Sequence, residues 1–465
     1  MESIWMAGTE IRKREPLPGD RKVSAAVIGA GIAGILTAYF LEKAGVSAVV
    51  LEADRIGSGQ TKNTTAKITS QHGMIYDGLI RTFGQRMAGH YARANEDAIR
   101  EYERLIQEKG IECDFTWCPA GLYSLEEEVL LKREAEAARA LGIEASFEKK
   151  CELPFSVAGV TIFERQARFH PLKFLAQIAE EVEVYEQTKV LKVDGNRVET
   201  ARGCVEADFI VFAVHFPFIN IPGYYFARMY QERSYVEAMK GVKSLEGMYL
   251  GIDEQGLSFR SQGETLLLGG YGHRTGTKQA GKGGIFHDAV PKGVGGCRYG
   301  MLRDKAQALF PGCEEIARWS AQDCMTLDKV PYIGRFSRRK PQWYVATGFG
   351  KWGMTSAMVS ARVLTALITG KPCPEADIFS PQRHFTARAA KELAVHGGHT
   401  VKGLAKHLIP SGNREIIPNC PHMGCRLEWN PEEETYDCPC HGSRFDREGH
   451  LIDDPAQTNC RRRSE

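Results

Sequence analysis

The sequence has no apolar run long enough to cross a bilayer. Its longest, residues 205–214, is broken by charge and falls far short of the about 20 residues a span needs. Nor does one sign of charge dominate: 60 Lys and Arg against 58 Asp and Glu leave a formal net charge of +2. No strong field therefore points toward nucleic acid or an anionic membrane surface. No internal repeat is present. The first residues, Met1-Glu2-Ser3-Ile4-Trp5, contain no basic stretch leading into an apolar one, so no export signal is read there. The expectation is a cytoplasmic protein. At 465 residues the chain is long for one core, which argues for two or three domains.

Cysteine, by contrast, is plentiful. Of 13 cysteines, nine are scattered (Cys113, Cys118, Cys151, Cys204, Cys297, Cys313, Cys324, Cys373, Cys460) and read as reduced thiols in a reducing compartment. The other four, Cys420, Cys425, Cys438 and Cys440, are interleaved with histidine, and that clustering carries chemical information.

At the other end, residues 23–29 read as a short buried strand, 31–44 as a helix and 47–52 as a second strand, which makes a β-α-β unit. Between the first strand and the helix stands Gly29-Ala30-Gly31-Ile32-Ala33-Gly34. The first glycine permits the tight turn, the second lets backbone approach a pyrophosphate, and the third lets helix and strand pack closely. Unpaired N–H groups at the helix start would face the phosphates. Glu52 closes the second strand about 20 residues on, where an acidic side chain binds a ribose hydroxyl pair. This is a dinucleotide site. Helices are also expected at 85–110, 126–141 and 354–368, and a late strand at 343–346.

After Glu52 come Gly57-Ser58-Gly59-Gln60-Thr61 and Thr64-Thr65-Ala66-Lys67-Ile68-Thr69. With these, the segment resembles the D-amino-acid oxidase-like FAD-dependent oxidoreductases, and the resemblance covers about residues 23–369. It implies that Thr61, Thr65 and Lys67 line FAD and that the backbone of Val190 meets the adenine. A second glycine motif, Gly348-Phe349-Gly350-Lys351-Trp352-Gly353, lacks the downstream acidic strand end that a nicotinamide site needs. By the same resemblance it closes over the flavin, with Gly348, Gly350, Lys351, Gly353 and Met354 contributing. The following helix dipole and Lys351 would stabilise negative charge on reduced flavin. Some relatives attach flavin through a cysteine; the matching position is Ala321, so FAD is expected to be non-covalent, although Cys324 stands close by.

The C-terminal motif is Cys420-Pro421-His422-Met423-Gly424-Cys425, then Cys438-Pro439-Cys440-His441-Gly442-Ser443. Two hairpins that each give a thiolate and an imidazole suit a Rieske-type [2Fe–2S] centre, with Cys420 and Cys438 on one iron and His422 and His441 on the other. Zinc also accepts two cysteines and two histidines; the spacing and the Cys-Pro-Cys-His-Gly-Ser string favour the cluster. Similarity to Rieske proteins of the cytochrome bc type implies a Cys425–Cys440 disulfide. Phe445 replaces a tyrosine that such relatives use to bond a ligand sulfur. Leu408 lies so close to Cys420 that the domain looks shortened by several strands.

The expected fold class is α/β (α+β). A Rossmann-like FAD-binding domain (parts about 20–80, 180–215 and 325–370) is interleaved with a mixed β-sheet substrate domain across 1–370. A linker, 371–412, and a small, truncated all-β Rieske domain, 413–465, follow. The resemblance implies oxidation of an amine or amino acid at C–N by FAD, with single electrons passing through the cluster to an external acceptor. An O₂-using oxidase with a vestigial cluster, and a non-catalytic redox sensor or partner-binding protein, stay open as alternatives. Candidate substrate-facing groups are Lys67, His72, His273, Arg274 and Lys351, with Arg274 suited to a carboxylate. The Gly/Lys-rich stretch after Arg274 reads as a solvated loop or a lid.

Overall fold

The computed structural model describes residues 2–254, 256–277, 297–405 and 416–461. Among the described residues three sheets organise the chain. The first is built on parallel strands. Arg21–Ile28 lies between Ala48–Leu51 and Gly203–Phe212, and Glu183–Tyr185 and Lys340–Thr347 extend the parallel set on either side. Alternation along the first strand fills two cores: Ala25 and Val27 face the helices Ile32–Lys43 and Gly353–Thr369. Ala26 and Ile28 face the opposite layer, with Val190, Phe212 and Trp343. Burial on both faces explains why this strand reads as an apolar run rather than an alternating one.

The second sheet has nine strands and is mostly antiparallel. The chain passes between the two sheets repeatedly. Lys67–Ile68 through Gly159–Arg168 belong to the second, Glu183–Tyr185 through Gly203–Phe212 to the first. Met229–Lys240 through Glu314–Thr326 return to the second. The FAD-type and substrate-type parts are thus interleaved. Residues 278–296, most of the Gly/Lys-rich stretch read as loop or lid, lie outside the described residues.

The long helix Tyr76–Lys109 kinks at Gly84, whose φ of 79° and ψ of 162° are non-helical. The apolar periodicity read from residue 85 therefore begins just past the kink. The third sheet is a four-stranded antiparallel meander: Glu428–Asn430, Thr435–Asp437, Arg444–Phe445 and Leu451–Asp453. The stretch read as a linker with some helix carries Ala376–Phe379 and Ala387–Ala405. Arg383 between them forks onto Asp328 at 2.6 and 2.7 Å, both side chains being almost fully buried.

Candidate functional site

A cavity of about 650 Å³ opens where the first two sheets meet. Its wall includes Gly29, Gly31, Glu52, Thr61, Thr65, Lys67, Val190, Gly348, Gly350, Lys351, Gly353 and Met354. Every cofactor residue expected from the sequence is there except Gly34, which acts one layer behind. A Cβ on Gly34 would stand 1.9 Å from the Gly29 carbonyl oxygen, so only glycine lets the helix sit this close to the turn. Gly29 holds φ at 103°, where L side chains are strained. The helix Ile32–Lys43 starts without a side-chain cap, although the Ile32 N–H donates to Thr61 Oγ1 at 3.1 Å. Glu52 accepts from the Ala30 and Asp54 N–H groups at 2.6 and 2.8 Å, and burial raises its pKa.

At the other end of the cavity, Gly348 and Gly350 hold φ at 70° and 55° and turn the chain into the helix Gly353–Thr369, also uncapped by any side chain. Two helix starts whose N-cap residues offer no side-chain acceptor, opening on one cavity, suit an anionic pyrophosphate and the electron-rich edge of a flavin. Ala321 lines the wall with only a methyl group, and the Cys324 thiol, raised in pKa by burial, lies 3.7 Å from Met229 Sδ.

Two lysines stand in the wall. Lys67 Nζ donates to Ser258 Oγ at 2.6 Å and to the Tyr249 carbonyl at 3.3 Å. Burial, helped by the Arg260 charge, lowers its pKa to about 7. Lys351 Nζ lies 3.1 Å from Asp323 and 3.4 Å from Glu232 and donates to Ser234 Oγ at 2.8 Å. Burial pulls its pKa down, but the Asp323 and Glu232 carboxylates outweigh that and hold it above the usual value. Lys351 stays charged, whereas Lys67 titrates near neutrality.

The other substrate-facing candidates lie elsewhere. His72 is buried, with its ring nitrogens 2.6 Å from the Tyr91 hydroxyl and 2.7 Å from the Thr69 carbonyl. His273 stacks on Tyr235 and sits 3.0 Å from its hydroxyl. Arg274 points away from the cavity and donates to the Pro439 and Cys440 carbonyls at 3.3 and 3.1 Å. That corrects its reading as a carboxylate clamp: the strand Thr265–Arg274 ends against the cluster hairpin. Within the cavity wall the cations are Lys62, Lys67, Lys189, Lys351 and Arg444.

The cluster motif forms two facing hairpins. Cys420 and Cys438 are buried beside each other, and the His422 and His441 ring centroids are 4.9 Å apart. Nδ1 of both histidines is buried without a partner, which leaves two imidazole nitrogens free to ligate. The Cys438 sulfur takes hydrogen bonds from Cys420 and from the backbone N–H groups of Cys440, His441 and Gly442, which lower its pKa. Ser443 bonds the Cys420 sulfur. The Cys438 sulfur is thus the acceptor of the pair, while the bond to Cys438 and burial raise the Cys420 thiol, so that both sulfurs stand side by side at the hairpin tips. The described trios of donor atoms that converge within 4.8 Å are Cys425–Cys438–Cys440 and Asp446–Glu448–His450. The four ligands are not gathered around one point as a single tetrahedral ion requires, and a two-iron centre fits them. Cys425 and Cys440 form a disulfide.

The FAD dependent oxidoreductase (DAO) family model matches residues 24–367, and the Rieske [2Fe-2S] domain model matches residues 415–462. The chain belongs to the DAO family. It is 36% identical to YhfW of Bacillus subtilis (strain 168), whose name describes a Rieske 2Fe-2S iron-sulfur protein, over 98% of this chain and 96% of that one. Gamma-glutamylputrescine oxidoreductase of Escherichia coli (strain K12) is 22% identical over 79% of this chain and 88% of its own. Among solved structures, L-amino acid deaminase from Proteus myxofaciens superposes with a TM-score of 0.64 at 16% identity, covering 82% of this chain and 97% of that one. L-proline dehydrogenase from P. horikoshii gives 0.62 at 18% identity, covering 78% and 98%. These structures share the DAO fold.

As a DAO-family enzyme with a Rieske domain, the chain binds FAD in its N-terminal part and a [2Fe–2S] cluster in its C-terminal part. What the sequence did not disclose is that the Rieske domain forms part of the wall of the flavin cavity. Arg444, Ile452, Asp453, Asp454 and Gln457 of the Rieske domain line the same cavity as Gly29 and Lys351. Gln60 bonds Asp453 at 3.3 Å, and Lys189 donates to the Gln457 carbonyl at 2.7 Å. Ion pairs also join the flavin part to the Rieske sheet. Buried Arg233 pairs with Glu433 and Asp453 at 3.5 and 3.9 Å, and Arg298 with Glu432 at 2.9 Å. Among the described residues no helix is long and apolar enough to cross a membrane.

Proposed function

We propose that the chain dehydrogenates an amine or amino acid at its C–N bond and delivers the electrons singly to an external acceptor. The observation that carries this reading is the shared cavity: one wall is flavin-type and the other belongs to the cluster domain. When bound, FAD accepts a hydride equivalent and the [2Fe–2S] centre passes one electron at a time.

The chain's own residues supply the rest. Lys67, titrating at about 7, takes the proton from an incoming substrate ammonium, because only the neutral amine can release its C–H electrons. Ser258 and the Tyr249 carbonyl fix the direction of its Nζ. Lys351, held charged by Asp323 and Glu232, keeps a cation beside the glycine turn at Gly350. Leu250, Val236 and Trp352 give that end an apolar lining, which limits water near the reacting carbon. The relative named gamma-glutamylputrescine oxidoreductase supports the same substrate class.

The test is anaerobic. The loaded protein is screened with amines and amino acids, with ferricyanide as one-electron acceptor, while its flavin and Rieske spectra are followed. Substrate-dependent bleaching of flavin followed by cluster reduction is expected. Rapid peroxide formation in air with an inert cluster would favour an oxidase instead, and no turnover with any amine would overturn the reading.

A further inference from the structure

Two buried amides join the cavity to the cluster hairpin. Gln231 and Gln322 stand on the neighbouring strands Met229–Lys240 and Glu314–Thr326 and are 1% and 2% exposed. Gln322 lines the cavity. Its Nε2 donates to the Gly442 carbonyl at 2.8 Å and to Gln231 Oε1 at 2.5 Å, and its Oε1 accepts from Arg233 at 2.6 Å. Gln231 Nε2 donates to the His441 carbonyl at 2.8 Å and the Asp454 carbonyl at 2.9 Å. Its Oε1 lies 2.9 Å from Nε2 of His215, another residue of the cavity wall.

Every nitrogen and oxygen of both amides is therefore paired, and a buried network satisfied in this way has one arrangement. Packing agrees with the hydrogen bonds. A Cβ on Gly442 would stand 2.6 Å from Gln231 Cβ, so the hairpin approaches as closely as glycine allows. His441 itself is 1% exposed, with Phe216 and Phe226 at ring-centroid distances of 6.5 and 5.8 Å.

We propose that Gln231 and Gln322 are positioning residues that dock the His441 hairpin at one fixed place on the flavin cavity. Electrons then cross from cavity to cluster through two short bonded routes, without domain movement. One route runs from Gln322 to Gly442, the other from His215 through Gln231 to His441. This rests on the dehydrogenase reading above. The balance is simple: an amine becoming an imine gives up two electrons and two protons. The electrons leave one at a time to two molecules of a one-electron acceptor, and the protons go to solvent.

The experiment uses the full chain loaded with FAD and cluster. A laser flash reduces the flavin, and the visible band of the cluster reports the electron's arrival. The wild-type rate is expected to be first order, independent of protein concentration and unchanged when glycerol raises the viscosity. Gln231→Leu and Gln322→Leu each strand buried carbonyl oxygens and let the hairpin shift. Transfer should slow severalfold, because tunnelling falls steeply with added distance and with a broken bonded route, with FAD content, iron content and the EPR spectrum of the reduced cluster retained. A rate that falls as viscosity rises overturns fixed docking, and this arm needs no variant to fold. Unchanged rates in both variants overturn the role of the amides. No flavin-to-cluster transfer in the wild type would defeat the dehydrogenase reading as well, which separates the two failures.

Discussion

Gly34 offers a direct test of the dinucleotide geometry. In Gly34→Ala the new Cβ starts 1.9 Å from the Gly29 carbonyl oxygen, 3.0 Å from its carbon and 3.4 Å from Ala213 Cβ. The obstacle is backbone, which cannot rotate aside like a long side chain. The helix must retreat by about 1 Å or more, and overpacking of this kind costs about 1–3 kcal/mol. That retreat withdraws the uncapped helix start from the phosphates. If about 2 kcal/mol falls on FAD binding, affinity drops about thirtyfold. Titrating the apoprotein with FAD and following flavin fluorescence measures it. Gly89→Ala is the control, because a Cβ there meets nothing within 4 Å and the position lies inside the helix Tyr76–Lys109. It should bind FAD as the wild type does. If Gly34→Ala binds FAD with wild-type affinity and melts no lower, the close-packing argument is wrong.

Other outcomes follow from the same contacts. Lys67 titrates at about 7 in the folded chain, below its ordinary value near 10.4. Between those pH values the unfolded chain holds a proton that the folded one has released. Its contribution to stability therefore rises with pH by about 1.4 kcal/mol per unit; urea unfolding of Lys67→Met across pH 7 to 9 should lack this slope. Arg383→Met leaves Asp328 buried and unpaired and is expected to cost about 3–5 kcal/mol, measured by chemical denaturation. Cys425→Ser opens a disulfide of sequence separation 15, worth about 3 kcal/mol in loop entropy. It should lower the melting temperature of the chain and increase iron loss on dialysis.

Much of this was legible locally. The strand, glycine turn and helix of the dinucleotide site, the late glycine turn before Gly353–Thr369 and the four cluster ligands are each set by residues adjacent in sequence. Arg274 was not, because its direction depends on how Thr265–Arg274 registers against Met229–Lys240, a pairing that no local pattern reveals. The helix Ala387–Ala405 read only as some helix within a linker, for a clear reason. It buries only Ala389, His396 and Gly403, one residue every seventh position, and two of the three are too small to mark an apolar face. A Cβ on Gly403 would stand 2.6 Å from Cys440 Sγ, so the smallness that hides the helix is what lets it reach the disulfide. The contacts that hold the Rieske sheet were equally invisible, since they come from strands about 200 residues upstream, where Arg233 meets Glu433.

That borrowed support makes the cluster domain non-portable. Cut free, its carbonyls at Pro439, Cys440, His441, Gly442, Asp454 and Gln457 would lose the flavin-side donors Arg274, Gln231, Gln322 and Lys189. The remaining half would be left with Arg233 stripped of Glu433 and Asp453. A substitution on one side of this seam is therefore felt by its partner on the other, and stability of the two parts is measured together rather than separately.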